Sequence, residues 1–338
     1  VNIKQSSPQK PFKLRYATMA IAAVVVIAAV VLGVTVFSGS SLPVLNASYK
    51  CVPGPLIPQL KAGGSGTMST TYGGFTATFR ATLPASTPAN RAMLGMPFKG
   101  TLTVTQGGQS WTLPRPANPN DSEINVMCVI AFQREQDPGV MVEGFTGGAH
   151  CCEVPVIYLF DHGDNRYVKV LDMSPNHYQD PHAFDDNEGF IPTVVGRHVL
   201  LQTGDDQFAY AFGCYACSEL PLVLDAVSPG GLTDVTPQYP ALVAANARAI
   251  WKNALDAVRA ESGAGPSNIP APFGFLAPWV ADECTLGSGA TAWSAILRLE
   301  LEGKLSDALY FEATTNHGSF VAHLRAFLLR DDYCTGQI

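Results

Sequence analysis

Phe75-Thr-Ala-Thr-Phe-Arg-Ala-Thr-Leu83 places Phe75, Ala77, Phe79, Ala81 and Leu83 on one side of an extended chain and Thr76, Thr78, Arg80 and Thr82 on the other. Side chains alternate with a period of two along a strand, so this segment reads as a half-buried β-strand. Downstream, FKGTLTVTQGGQSWTL repeats the alternation on either side of Gly107-Gly108, as expected of a hairpin turning at the glycine pair. Short apolar runs follow at 126–132, 140–145, 154–160, 167–171, 191–201, 208–212 and 220–227, most of them separated by turn residues. Residues 67–236 therefore read as an all-β domain.

After Pro240 the period changes. Val243, Ala247, Ile250, Ala254 and Val258 recur at helical spacing, and after a Gly/Pro-rich break at 263–274 further helical segments lead to one that Ser319 can cap. This final helix is expected to bury Phe320, Leu324, Phe327 and Leu328. Residues 237–338 form an α-helical subdomain in this reading, and the fold class is α+β. With 31 glycines, 25 prolines and only 14% charged residues, the composition suits a β-rich chain with many tight turns.

The other end of the chain differs in kind. Residues 1–16 carry Lys4, Lys10, Lys13 and Arg15 without an acid, and Ala17 to Phe37 runs uncharged for 21 residues. A helix rising ~1.5 Å per residue covers about 30 Å over that length, the thickness of a bilayer's hydrocarbon layer. The expectation is a cytoplasmic tail at 1–16, a transmembrane helix at 17–37, a Ser/Gly/Pro-rich stalk at 38–66 and an extracytoplasmic body. A cleaved secretory signal is the competing reading and leaves the body on the same side.

All eight cysteines follow the apolar run. An even number in an exported body points to disulfides, and proximity along the chain suggests Cys51 with Cys128, Cys151 with Cys152, Cys214 with Cys217, and Cys284 with Cys334. A scheme crossing the middle two pairs is the alternative. Removing the four basic residues of the first 37 leaves 17 basic against 28 acidic residues, a charge of −11, which disfavours nucleic acid as a partner.

Candidate chemistry is sparse. His150 beside Cys151 and Cys152, in Thr146-Gly-Gly-Ala-His-Cys-Cys152, could serve a nucleophile or metal site, but a glycine turn locked by a disulfide is the favoured reading, because thiolate ligands and nucleophiles need reduced sulfur. Cys214-Tyr-Ala-Cys217 has redox spacing but lies among strand-like residues, not at a helix start. Asp185, Asp186 and Asn187 are calcium candidates, weakened because they are consecutive where a calcium loop alternates its ligands. His177 and His182 read as loop residues, and Asn46 and Asn120 begin glycosylation patterns. No G-x-S-x-G, H-E-x-x-H or Walker string occurs, so the common hydrolase and nucleotide signatures are missing.

Three strings carry a resemblance: Val140-Met-Val-Glu-Gly-Phe-Thr-Gly-Gly-Ala-His-Cys-Cys152, Asp205-Asp-Gln-Phe-Ala-Tyr-Ala-Phe212, and Leu232-Thr-Asp-Val-Thr-Pro-Gln-Tyr-Pro240. With Gly274-Phe-Leu-Ala-Pro-Trp-Val-Ala-Asp282 in the tail, they resemble bacterial extracytoplasmic proteins related to the integrin-alpha, or FG-GAP/VCBS, repeat. The resemblance implies an interaction scaffold and assigns no enzymatic activity, with an incomplete propeller and a compact β-sandwich both open. The family's D-x-D-G-D-G calcium loops stand here as Gln133-Arg-Glu-Gln-Asp-Pro-Gly139 and Asp185-Asp-Asn-Glu-Gly189, so calcium is not carried over. The expected function is a membrane-anchored extracytoplasmic binding protein for a protein or cell-envelope ligand. The alternative is a cell-envelope hydrolase using His150, with Asp205 and Asp206 as further site candidates.

Overall fold

A computed structural model of the chain describes residues 48–53, 64–82, 99–114, 123–133, 137–145, 153–172, 190–214, 217–261, 271–307, 310 and 318–338. The 17–37 run lies outside these residues, as do His150, Cys151, Cys152, His177, His182, Asp185, Asp186 and Asn187. Among the described residues no helix is long and apolar enough to cross a membrane.

Thirteen strands build three antiparallel sheets among the described residues. The N-terminal sheet is a meander of β2 (Ser65–Tyr72), β3 (Phe75–Thr82), β4 (Lys99–Gln106) and β5 (Gln109–Leu113). Its two tight hairpins turn on Gly73-Gly74 and Gly107-Gly108, whose φ values of 59°, 83°, 55° and 86° are open only to glycine without strain. The expected face of β3 is buried, with Phe75, Ala77, Phe79 and Ala81 between 0% and 3% exposed.

The central sheet runs in the order β1-β6-β7-β8-β9, from β1 (Tyr49–Pro53), β6 (Glu123–Ile130), β7 (Gly139–Phe145), β8 (Glu153–Asp161) and β9 (Arg166–Asp172). Both of its faces are covered. Met127, Val129, Val140, Val142, Val156 and Tyr158 share a core with β2–β5, whereas Cys128, Ile130, Met141, Ile157 and Leu159 share another with the third sheet. A strand buried on both sides needs apolar residues at nearly every position, which is why β6 to β8 read as near-continuous apolar runs and β3 as an alternation.

The third sheet, in the order β10-β11-β12-β13, comprises β10 (Ile191–Val195), β11 (His198–Gly204), β12 (Leu222–Ser228) and β13 (Gly231–Asp234). Val199, Leu201 and Val227 meet the central sheet, and Leu200, Leu222 and Leu224 on the opposite face meet Val243 of the first helix. The helices are α1 (Pro240–Glu261), α2 (Phe273–Thr285), α3 (Gly289–Leu301) and α4 (Phe320–Arg330). α1 buries the expected Val243, Ala247, Ile250, Ala254 and Val258. α4 is capped by Ser319, whose Oγ accepts the Ala322 N–H, and buries the expected four residues together with Val321.

Three sequence readings need correction. Residues 191–201 are two strands, because Gly196 at φ 62° reverses the chain. Residues 208–212 are not a strand: Phe208 and Phe212 both enter the helical core, and Tyr210 between them adopts a left-handed φ of 61° that breaks any extended run. Tyr49–Pro53 is no stalk, since β1 pairs along its length with β6 and brings Cys51 opposite Cys128.

Candidate functional site

The chain leaves β11 through Gly204, where a Cβ would lie 2.4 Å from the Leu220 Cβ, so only glycine lets the returning segment pass this close. Asp205 follows, fully buried, and caps a 3-10 turn at Asp206–Phe208 by accepting the Gln207 N–H at 3.0 Å. Its own N–H donates to the Pro221 carbonyl at 3.1 Å, and its second carboxylate oxygen accepts the Tyr333 hydroxyl at 2.5 Å. Burial, and then the charge of Asp205, push the Tyr333 hydroxyl well above its ordinary pKa, so it stays a donor. Phe208 packs edge-on against Phe327 and Tyr333 at 4.8 and 5.4 Å, and Phe212 against Phe327 at 5.0 Å.

The Asp205–Tyr333 bond ties the loop after β11 to the end of the chain, 128 residues on. Tyr333→Phe should cost about 2 kcal/mol, the range for a hydrogen bond to a charged partner, and should lower the urea midpoint without changing the far-ultraviolet circular dichroism.

Asp282 of α2 is the second buried carboxyl at this seam, 1% exposed. It accepts the Leu222 N–H at 3.1 Å and the Asn246 side-chain amide at 2.8 Å, and that amide also reaches the Leu220 carbonyl. One side chain thus joins β12, α1 and α2. Burial raises its pKa to about 7 despite the two hydrogen bonds, which act to lower it. Alongside it, Gly274 lets α2 lie flush on the 217–218 backbone, where a Cβ would come 2.3 Å from the Cys217 carbonyl oxygen. Gly274→Ala therefore forces backbone apart and should destabilise the fold by about 2 kcal/mol or more, measurable as a lowered melting temperature.

Next to these bolts a cleft of about 280 Å³ opens between the third sheet and the C-terminal turn, lined by Asp225, Asp234, Asp331, Asp332 and Tyr333 among others. Asp225 and Asp234 face each other in the β12–β13 register. Asp234 accepts both the N–H and the hydroxyl of Thr236, and Asp331 is paired with Arg330. The opening is acidic and suits a cationic group better than an anionic one. Among the described residues its lining contains no histidine, cysteine or serine, and no three His, Cys, Asp or Glu side chains converge as a metal site.

Of the site candidates read from the sequence, Asp205 is a buried cap, Asp206 lies in the first turn of the 3-10 segment, and His150, Asp185, Asp186 and Asn187 lie outside the described residues. Three of the expected pairs are bridged, Cys51–Cys128, Cys214–Cys217 and Cys284–Cys334, although the first joins strands with β2 to β5 between them and so is not local, while Cys151 and Cys152 fall outside the described residues. Sequence reading passed over Asp282 and over Glu143, which is 3% exposed and accepts the Phe190 N–H at 2.6 Å. The available signal was a lone acid inside an apolar run, VMVEGF or FGFLAPWVAD, since a charged residue is buried only when partnered.

No family model matches the chain. A probable thylakoid lumen protein of Synechocystis sp. is 28% identical over 251 residues, covering 70% of this chain and 66% of that protein, just under two thirds of its length. A solved chain described as a Xanthomonas type IV secretion system related protein aligns at a TM-score of 0.26 and 13% identity, over 55% of this chain and 99% of that one. That likeness is too slight to argue from.

Proposed function

We propose that this chain is a membrane-anchored extracytoplasmic protein that binds a protein or cell-envelope ligand and performs no chemistry on it. The carrying observation is how the polar groups at the seam are used: Asp205, Asp282, Asn246 and Tyr333 are committed to hydrogen bonds that hold the sheet to the helices. Polar groups spent on rigidity leave the acidic cleft beside them as a preformed surface, and preformed surfaces bind without an ordering cost. The three bridges, and the lumenal placement in the relative's name, support a location outside the cytoplasm. The interaction role also accords with the resemblance to FG-GAP/VCBS-type scaffolds, and the uncharged 17–37 run with basic residues before it supports the anchor.

Two measurements test this reading. Full-length protein should stay with membranes through carbonate extraction, whereas a chain beginning near residue 48 should be released; full-length release sinks the anchor. Affinity capture from native envelopes should recover a partner that Asp225→Asn with Asp234→Asn weakens about tenfold. Capture that is indifferent to those charges would place binding elsewhere on the molecule.

A further inference from the structure

Among the described residues, the bridge between Cys214 and Cys217 differs from the other two in access. Cys214 is exposed and Cys217 half-buried, whereas Cys284 and Cys334 are 3% and 0% exposed and Cys128 is 0% exposed behind a half-buried Cys51. Thiol exchange begins with a thiolate reaching one sulfur of the bridge, so burial protects and exposure invites.

The two ends of this bridge are also held without it. The Cys217 N–H donates to the Cys214 carbonyl at 2.9 Å, the Ser218 hydroxyl to the same carbonyl at 3.1 Å, and the Glu219 N–H to the Gly274 carbonyl at 3.0 Å. The bridge spans a sequence separation of 3, against 77 and 50 for the others, so opening it releases far less chain entropy. Fixed backbone on both sides keeps the two sulfurs near each other for reclosure.

We propose that Cys214–Cys217 is an exchangeable disulfide whose partner is an external dithiol, while Cys51–Cys128 and Cys284–Cys334 are permanent. A thiolate of the dithiol attacks the Cys214 sulfur, forming a mixed disulfide, and the Cys217 sulfur leaves with the electron pair and takes up a proton. The second thiol of the partner then attacks its own bonded sulfur in the mixed disulfide and expels Cys214 as a thiol. In sum two electrons and two protons pass to this chain, and the partner ends as a disulfide. In this scheme the pair receives electrons from the partner.

The test is graded reduction of the native protein by dithiothreitol at neutral pH, with alkylation and peptide mapping at each time. Cys214 and Cys217 should be labelled at least tenfold faster than Cys51, Cys128, Cys284 and Cys334, and oxidised glutathione should restore the bridge. Simultaneous labelling of all three pairs, which signals reduction through global unfolding, overturns the proposal, as does earlier labelling of either other pair. The double variant Cys214→Ser with Cys217→Ser should fold and lose the fast phase. A double variant that fails to fold would make this bridge structural and likewise overturn the proposal.

Discussion

Replacing Cys284 and Cys334 together by serine should lower the unfolding free energy by about 4 kcal/mol, the chain-entropy value for a closed loop of this length. The bridge spans a separation of 50 residues, from α2 across α3 and α4 to the final turn. Neither sulfur is open to solvent, and a Cβ on Gly289 would lie 2.5 Å from the Cys284 sulfur, so the surroundings have closed tightly around it. Serine hydroxyls in that apolar space add a desolvation cost. Urea unfolding followed by tryptophan fluorescence measures the loss, with Trp251 and Trp279 stacked at 4.1 Å as reporters in α1 and α2. A loss below about 1 kcal/mol would mean that packing alone holds the helices.

The second large effect follows from Asp282. Its carboxyl is held at about 7 in the folded chain against an ordinary value of 3.8. Between roughly pH 4 and pH 7 the folded state keeps a proton that the unfolded state has released, so stability falls as pH rises through that window and levels off above it. The slope is about 1.4 kcal/mol per pH unit at its steepest, and the whole change on the order of 4 kcal/mol. Asp282→Asn keeps the shape and abolishes the titration, so its stability at pH 5 and pH 8 should differ far less than in the parent. Persistence of the full slope in Asp282→Asn would assign it to another group.

Both effects arise at a place the sequence reveals poorly. The alternation of Phe75 to Ala81 and the 3.6-residue period of Val243 to Val258 are local, because each element buries one face and the chain states that face directly. The stacking of three sheets is not local. β6 and β7 show near-continuous apolar runs, and such a run says that a strand is covered twice without naming what covers it. Tyr49–Pro53 is too short to announce itself as a strand, and its partner lies past four intervening strands. Phe208 and Phe212 belong to a turn because their spacing of four serves a helical core reached only through the tertiary fold. Asp205 was singled out by its string, but only the structure supplies its role, since its partner is Tyr333 at the far end of the chain.

The pairing of β1 with β6 also sets a timetable for synthesis. As the chain emerges from its N-terminal side, β2 to β5 can zip through neighbouring hairpins, while β1 waits for residues 123–130 to arrive. For that interval the Cys51 thiol is without its mate, and the backbone of β1 is without the strand it pairs with. The strand that stands first is secured only after the four strands that follow it, and the finished meander hangs from it as a closed loop whose ends are then clasped by sulfur.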